Sequence, residues 1–130
     1  MDDDAHIPQV DNDTANYIIA YFPNLMTRAE NHAWGRLICT MKATKGRDDF
    51  AAQEATLLNP HWAKHMSNDD EVVRLARQGC RHFLTVAAAR ILAERSSELY
   101  LKYCPKCARL ARTPQARQCR YCGHDWHGAT

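Results

Sequence analysis

The stretch YCPKCARLARTPQARQCRYCGHDWH, residues 103–127, contains two cysteine pairs with the spacing C-x2-C, and eleven residues lie between the pairs. Two intervening residues allow both thiolates of a pair to face one ion from a tight turn, and a second such turn completes a tetrahedral site of four sulfur atoms. The gap between the pairs is close to the roughly 12 to 20 residues usual in zinc sites. The spacing therefore predicts one structural zinc ion bound by Cys104, Cys107, Cys119 and Cys122.

Other uses of these cysteines are less well supported. Disulfides suit secreted proteins, but the acidic stretch MDDDAHIPQVDND, residues 1–13, is unlike a secretory signal and favours a reducing cytosol. A redox C-x-x-C normally needs only one pair near a βαβ pattern, which this sequence lacks. An iron site of the rubredoxin type has the same four thiolates, so the ligands do not distinguish zinc from iron. Four thiolates fill the coordination shell, so His124 and His127 are expected to lie outside it.

The residues between the pairs predict a short β-hairpin. Thr113-Pro114 lies midway between the pairs, and proline presets the backbone angle that a chain reversal uses. A ribbon of this size needs its metal to fold, and we expect residues 101–130 to pack on the end of a long helix. The apolar surface for that packing would come from Tyr103, Leu110, Tyr121 and Trp126.

The motifs CPKC, LARTP and QCRYCGHDW resemble the zinc-ribbon end of a group of short bacterial proteins without an assigned activity, and also the wider zinc-ribbon superfamily. The resemblance covers roughly the last quarter of the chain and implies the same four cysteine ligands, but no catalytic residue. One position departs from the pattern. Ribbon knuckles often place glycine after the second cysteine, as Gly123 follows Cys122, whereas Ala108 follows Cys107.

Residues 14–100 predict a mainly α domain, a bundle of four to five helices around one core. Acids and cap residues at 67–71 favour the start of a long helix, and apolar residues at steps of three and four extend it over roughly 69–100. A second apolar stripe runs from Met26 to Met41 and ends at Lys45-Gly46. Shorter helices are predicted after Asp13 or Thr14, over 49–58, and from Pro60. No internal repeat is evident.

Composition and charge indicate a soluble globular chain without a membrane span. Of the 130 residues 45% are hydrophobic and 25% are charged. The net charge of +2 is unevenly distributed, because residues 1–13 form an acidic, flexible leader with five aspartates, while residues 101–123 carry six basic residues and no acid. The pI of 8.3 is below the value of about 9 that is usual for dedicated nucleic-acid-binding domains.

Seven arginines are candidates for binding a partner. Three of them recur at helical spacing and would share one face of the long helix, although a solvated face is the favoured explanation because Asp70 can pair with Arg74. The other four lie between and within the cysteine pairs. The full set is Arg74, Arg77, Arg81, Arg109, Arg112, Arg117 and Arg120.

No catalytic constellation is visible. His61 and His65 in HWAKH lack the glutamate that a zincin motif requires, and the five glycines form no phosphate-binding loop. Cys39 and Cys80 fall on apolar stripes, which is typical of inert buried thiols.

The leading hypothesis is a cytosolic, non-catalytic zinc protein that binds a protein partner, and in a bacterial setting an immunity protein that neutralises a toxin fits its size. A DNA- or RNA-binding regulator that uses the basic surface is the alternative, and an enzyme comes third.

Overall fold

The computed structural model describes residues 10–126, and these residues are mainly helical, as the sequence predicted. Most of the predicted acidic leader, residues 1–9, lies outside the described residues, as do residues 127–130. No helix within 10–126 is long and apolar enough to cross a membrane. The six helices in this range are α1 Asn12–Tyr21, α2 Arg28–Thr44, α3 Phe50–Leu57, α4 Pro60–Ala63, α5 Asp70–Ala76 and α6 Cys80–Glu94, with short 3-10 turns at Pro23–Leu25 and Ser96–Glu98.

Local capping fixes where the first two helices begin and end. The side chain of Asp11 accepts the N–H of Thr14 at 2.8 Å, so α1 begins slightly earlier than predicted. Thr27 and Glu30 form a reciprocal capping box at the start of α2, and Lys45 in the left-handed conformation ends it. The second apolar stripe is therefore a helix with the predicted C-terminal boundary.

The core lies where α1 packs on α6 and α2 packs on α5, and α3 also packs on α2. Phe83 is fully buried and stacks on Trp34 with ring centroids 5.9 Å apart. One ion pair crosses this core, since Arg90 of α6 bonds Glu30 of α2 at 2.6 Å and 2.7 Å. The apolar side chains that surround them include Ile18, Ile19, Leu25, Leu37, Val72 and Ile91.

The predicted long helix over 69–100 is wrong, because the structure divides it into α5 and α6. Gly79 lies between them with a φ of +90°, a conformation that residues with side chains rarely adopt. The N–H of Cys80, at the start of α6, donates to Asp48 at 2.8 Å. Asp48 is 32 residues away in the chain, so the periodic pattern alone gives no sign of this break.

The predicted β-hairpin also differs from what the structure contains. Residues 10–126 include no β-sheet, and the only pairings are two isolated antiparallel bridges, Tyr103 with Leu110 and Gln118 with Asp125. Each bridge closes around one cysteine pair, and neither connects the two pairs. Thr113 accepts the N–H of Ala116 in a turn between them. The backbone hydrogen bonds are therefore used within each cysteine turn instead of across a hairpin.

Candidate metal centre

The two cysteine pairs lie in two structurally equivalent turns, which we call the first knuckle, residues 102–111, and the second knuckle, residues 117–126. The N–H of Cys104 donates to the carbonyl of Arg109 at 2.8 Å, and fifteen residues later the N–H of Cys119 donates to His124 at 2.8 Å. Each antiparallel bridge occupies the equivalent position in its own knuckle. The structure thus contains an internal repeat that sequence inspection missed, because little beyond the cysteines is shared between KYCPKCARLA and RQCRYCGHDW.

The four cysteine sulfurs meet at one point between the knuckles. Each cysteine offers one Sγ, and all four atoms lie within 4.8 Å of one another. The Sγ atoms of Cys104 and Cys122 are 3.7 Å apart, and those of Cys107 and Cys119 are 3.5 Å apart. A tetrahedral zinc site with bonds of about 2.3 Å has sulfur–sulfur distances of about 3.8 Å. These distances are well above the roughly 2.05 Å of a disulfide bond, so the cluster is consistent with a single metal ion.

Backbone N–H groups in each knuckle point at the sulfur of its first cysteine. In the first knuckle the N–H groups of Lys106 and Cys107 lie 3.3 and 3.4 Å from Sγ of Cys104. The equivalent two N–H groups of the second knuckle lie 3.3 and 3.4 Å from Sγ of Cys119. Such donors stabilise a thiolate more than a thiol. The backbone of each knuckle therefore presents N–H donors that suit a negatively charged sulfur.

The thiol pKa values follow this arrangement. The N–H of Cys122 is the main reason that the pKa of Cys119 is lowered to about 6. Burial raises the pKa of Cys104, but backbone N–H donors outweigh that effect and leave it below its ordinary value. For Cys107 the N–H of Arg109 lowers the pKa, yet burial and the adjacent sulfurs raise it to about 11. A cation bound among the four sulfurs would favour their ionised form, which is the chemistry of a metal centre.

A small apolar cluster surrounds the sulfurs. Cys104, Cys119 and Ala111 are nearly inaccessible to solvent, and Trp126 packs against them. Trp126 is only 9% exposed, and its Nε1–H donates to the carbonyl of Ala116 at 3.0 Å. Of the four residues predicted to pack this segment on a helix, Trp126 instead packs against the cysteines, while Tyr103 and Tyr121 are exposed.

The residue after the second cysteine has the same unusual conformation in both knuckles. Gly123 has a φ of +78°, and Ala108 has a φ of +66° at the equivalent position. A residue with a Cβ is strained in the left-handed region, by roughly 1–2 kcal/mol. The departure noted in the sequence therefore leaves the shape of the first knuckle unchanged but places strain in it.

The cysteine segment, residues 102–126, contacts the helices through α1. Asp13 in the first turn of α1 accepts a hydrogen bond from the Tyr121 hydroxyl at 2.8 Å and lies 3.5 Å from the guanidinium of Arg120. The buried Tyr17 hydroxyl accepts the N–H of Lys102 at 3.3 Å. These contacts run to α1, whereas the sequence predicted packing on the end of the long helix.

The four arginines of the cysteine segment are exposed and lie at two sites. Arg109 and Arg120 each place a guanidinium over the Tyr121 ring, 4.8 and 4.9 Å from its centre. Arg112, Arg117 and Arg120 line a shallow cleft of about 480 Å³ beside Cys119. The structure thus divides the four predicted arginines between the Tyr121 ring and this cleft, and Arg120 belongs to both sites.

The three helix arginines do not form one helical row. The break at Gly79 puts Arg81 on α6, while Arg74 lies on α5 and Arg77 follows it directly. Arg74 pairs with Glu71 at 3.9 Å and not with Asp70. Arg77 and Arg74 instead line a cleft that faces α2 and α3.

The environments of the other cysteines and of the histidines do not favour a reactive or metal-binding role. Burial, followed by the charge of Asp48, raises the pKa of Cys80 to about 12, which fits an inert thiol. The Sγ of Cys39 lies 3.9 Å from the carbonyl of His65. Among residues 10–126, the group of side chains that could hold a metal ion consists of the four cysteines. It does not include His61, His65 or His124. His127 lies outside the described residues.

Comparison of the chain with protein-family models, with curated proteins and with solved structures gave no match. The resemblance of the cysteine motifs to zinc ribbons of short bacterial proteins therefore stays a prediction.

Proposed function

We propose that this chain is a non-catalytic, zinc-stabilised binding protein whose cysteine segment docks onto an acidic surface of a protein partner. The observation that carries this proposal is the closed cluster of four cysteine sulfurs, 3.5 and 3.7 Å apart in two pairs, in a segment that carries four exposed arginines. A closed sulfur shell has no open position for a substrate and serves as a structural centre.

Zinc is the metal that we infer for this site. Four thiolates in tetrahedral geometry suit zinc or iron. Zinc has no redox chemistry and is the usual ion of structural four-cysteine sites. Elemental analysis of freshly purified protein should find one equivalent of zinc. One equivalent of iron, with the visible absorption of a four-thiolate iron centre, would replace zinc in the proposal, and much less than one equivalent of either would end it.

The arginine side chains of the cysteine segment have the character of an interaction surface. Arg109 and Arg120 flank Tyr121, which is 43% exposed, and the hydrogen bond to Asp13 fixes this ring. Arginine and tyrosine are enriched among the residues that contribute most to protein interfaces, and side chains held in place lose less entropy on binding. A rigid group of positive charge with an aromatic centre favours an acidic protein partner.

In a bacterial setting, such a partner fits a toxin that this chain neutralises. The test is to co-express the chain with a candidate partner, such as the product of an adjacent toxin gene, and to measure stoichiometry and rescue of growth. We expect a 1:1 complex that survives high salt and that Arg109→Glu with Arg120→Glu weakens at least about a hundredfold. Arg28→Glu, an exposed arginine on α2, is the matched control and should have no effect.

A DNA- or RNA-binding regulator is the second candidate, favoured by the basic cysteine segment and the exposed Tyr103. It is weaker because the two aromatic residues best placed for stacking on bases are already engaged. Two guanidinium groups lie over Tyr121, and Trp126 is buried. Binding of short DNA or RNA whose affinity falls linearly with log salt, and falls again in the double variant, would favour this candidate over the first.

A further inference from the structure

A cleft on the helical domain, far in sequence from the cysteines, contains a buried positive charge without a carboxylate partner. The cleft lies between α2, α3 and α5 and has a volume of about 620 Å³, within the range typical of small-molecule sites. Arg36 of α2 lines it and is only 1% exposed. Arg74 and Arg77 lie at the same cleft.

The groups that hold Arg36 are all uncharged. Its Nε donates to the side-chain oxygen of Gln53 at 2.8 Å, and its Nη1 donates to the carbonyl of Ser67 at 2.9 Å and to Asn68 at 3.3 Å. Gln53 is locked in this orientation, because its Nε2 donates to the carbonyl of Ala76 at 2.8 Å. Its oxygen therefore faces the guanidinium, yet it cannot neutralise the charge.

The surroundings of Arg36 differ from those of Arg90, another arginine with a largely buried side chain. Arg90 is held by the carboxylate of Glu30 at 2.6 Å, whereas no ion pair within residues 10–126 includes Arg36. A buried charge without a counterion is costly, and burial lowers the pKa of Arg36. Glu54, which is exposed on α3, offsets this only through its electrostatic attraction. An anion in the cleft would supply the missing charge.

The walls of the cleft combine positive charge with apolar surface. The guanidinium of Arg77 lies 4.1 Å from the centre of the Phe50 ring, which orients it. Leu57 and Val73 add apolar area. The arginines outnumber the acids in the lining, which are Glu54 and Asp70. Planar guanidinium groups match the oxygens of carboxylates and phosphates.

We propose that this cleft binds a small anion, a carboxylate or phosphate group on an apolar body, held by Arg74 and Arg77 close to the buried charge of Arg36. The site is independent of the cysteine segment and of the proposed function. Arg74 and Arg77 provide direct hydrogen bonds, Arg36 acts mainly through its unscreened charge, and Phe50 contacts the apolar body.

The experiment titrates the full chain with phenyl phosphate and, separately, with benzoate, and follows amide and arginine Nε–H resonances by two-dimensional NMR. We expect saturable shifts at α3 and α5 below about 10 mM of at least one of the two probes. Saturation by phenyl phosphate alone identifies a phosphate ligand, saturation by benzoate alone a carboxylate ligand, and saturation by both a site for either. Each of these three results supports the site.

Matched variants separate this site from general charge attraction. Arg36→Gln removes a buried donor and is expected to destabilise the fold, so the informative variants are Arg74→Gln and Arg77→Gln, which should weaken binding about tenfold each. Glu54→Gln removes a negative charge from the same cleft and should tighten binding about threefold. Arg81→Gln changes an exposed arginine of α6 that does not line the cleft, and should leave binding unchanged. Absence of saturable shifts in the unmodified chain, or equal weakening by Arg81→Gln and Arg77→Gln, would overturn the proposal.

Discussion

The helical domain and the cysteine segment are stabilised by different kinds of interior. The helices bury a continuous set of large apolar side chains, among them Ile18, Leu37, Phe83 and Ile91. The buried cluster of the cysteine segment consists of Cys104, Ala111, Cys119 and Trp126. Burying a large apolar side chain contributes roughly 1.5–3 kcal/mol, so the helices hold together by packing. The cysteine segment has too little apolar surface for that, so we expect it to depend on a metal ion bound by its four cysteines.

This difference predicts that each region responds to a different kind of change. Loss of the metal should affect the cysteine segment, and loss of packing should affect the helices. The contacts of Asp13 and Tyr17 of α1 with the cysteine segment are the route by which an effect can pass from one region to the other.

Removal of a cysteine ligand should give the largest effect. Cys104→Ser, or a strong chelator, should abolish metal binding and unfold residues 102–126, because apparent metal-binding free energies of about 10–16 kcal/mol drive the folding of such segments. The amide resonances of this segment should collapse to unfolded positions, and those of α2 and α3 should stay dispersed. Cys39→Ser is the matched control, since Cys39 is not in the cluster, and it should retain one equivalent of metal. Unchanged resonances in Cys104→Ser would contradict the metal dependence.

A cavity in the helical core should have the opposite pattern. Phe83→Ala removes a fully buried ring that stacks on Trp34, and should lower the free energy of unfolding by about 3–5 kcal/mol. Denaturant unfolding followed by far-ultraviolet circular dichroism measures this loss. The purified variant should still contain one equivalent of metal. Loss of the metal together with the helices would show that the two regions unfold as a single unit.

The break between α5 and α6 can be tested by a pair of glycine substitutions. Gly79→Ala should destabilise the fold by about 1–3 kcal/mol, because φ is +90° and the new Cβ would lie 3.1 Å from a carboxylate oxygen of Asp48. Gly35→Ala, within α2, meets nothing within 4 Å and should be neutral or stabilising by about 0.5–1 kcal/mol. The melting temperatures of the two variants measure this difference. Equal melting temperatures would contradict the expected strain at Gly79.

The smallest expected effect concerns the backbone of the knuckles. Ala108→Gly should relieve the strain of a φ of +66° and tighten metal binding about fivefold, equivalent to about 1 kcal/mol. Gly123→Ala introduces the same strain at the equivalent position of the second knuckle and should weaken metal binding by a similar factor. Competition with a chromophoric chelator measures both. A change of the same sign in the two variants would contradict the equivalence of the knuckles.

Local patterns in the sequence predicted a large part of this molecule. The C-x2-C spacing identified the four residues whose sulfurs meet, because two intervening residues fix the geometry within a single turn. Apolar periodicity predicted α2, and the mainly helical character followed from the same signal. These features depend on residues close together in the chain, so they are readable without a structure.

Other features depend on residues that are distant in the chain, and apart from Gly79 at the helix break, local patterns carry little information about them. The long helix was overpredicted because its break needs Asp48, and the basic row of Arg74, Arg77 and Arg81 was overpredicted with it. Arg36 was not singled out, since its burial depends on Gln53 and Ser67. The repeat of the knuckles shows in hydrogen bonds and not in residue identities.

The sequence by itself determined that this chain has a helical domain and four cysteines spaced for one metal ion. Only the tertiary structure decided that the cysteine segment lies against α1, that Arg109 and Arg120 place their guanidinium groups over Tyr121, and that Arg36 is buried at a cleft without an ion pair within residues 10–126. The physical reason is range. Turn geometry and helical periodicity act over a few residues, whereas burial and charge pairing depend on which segments the fold brings together.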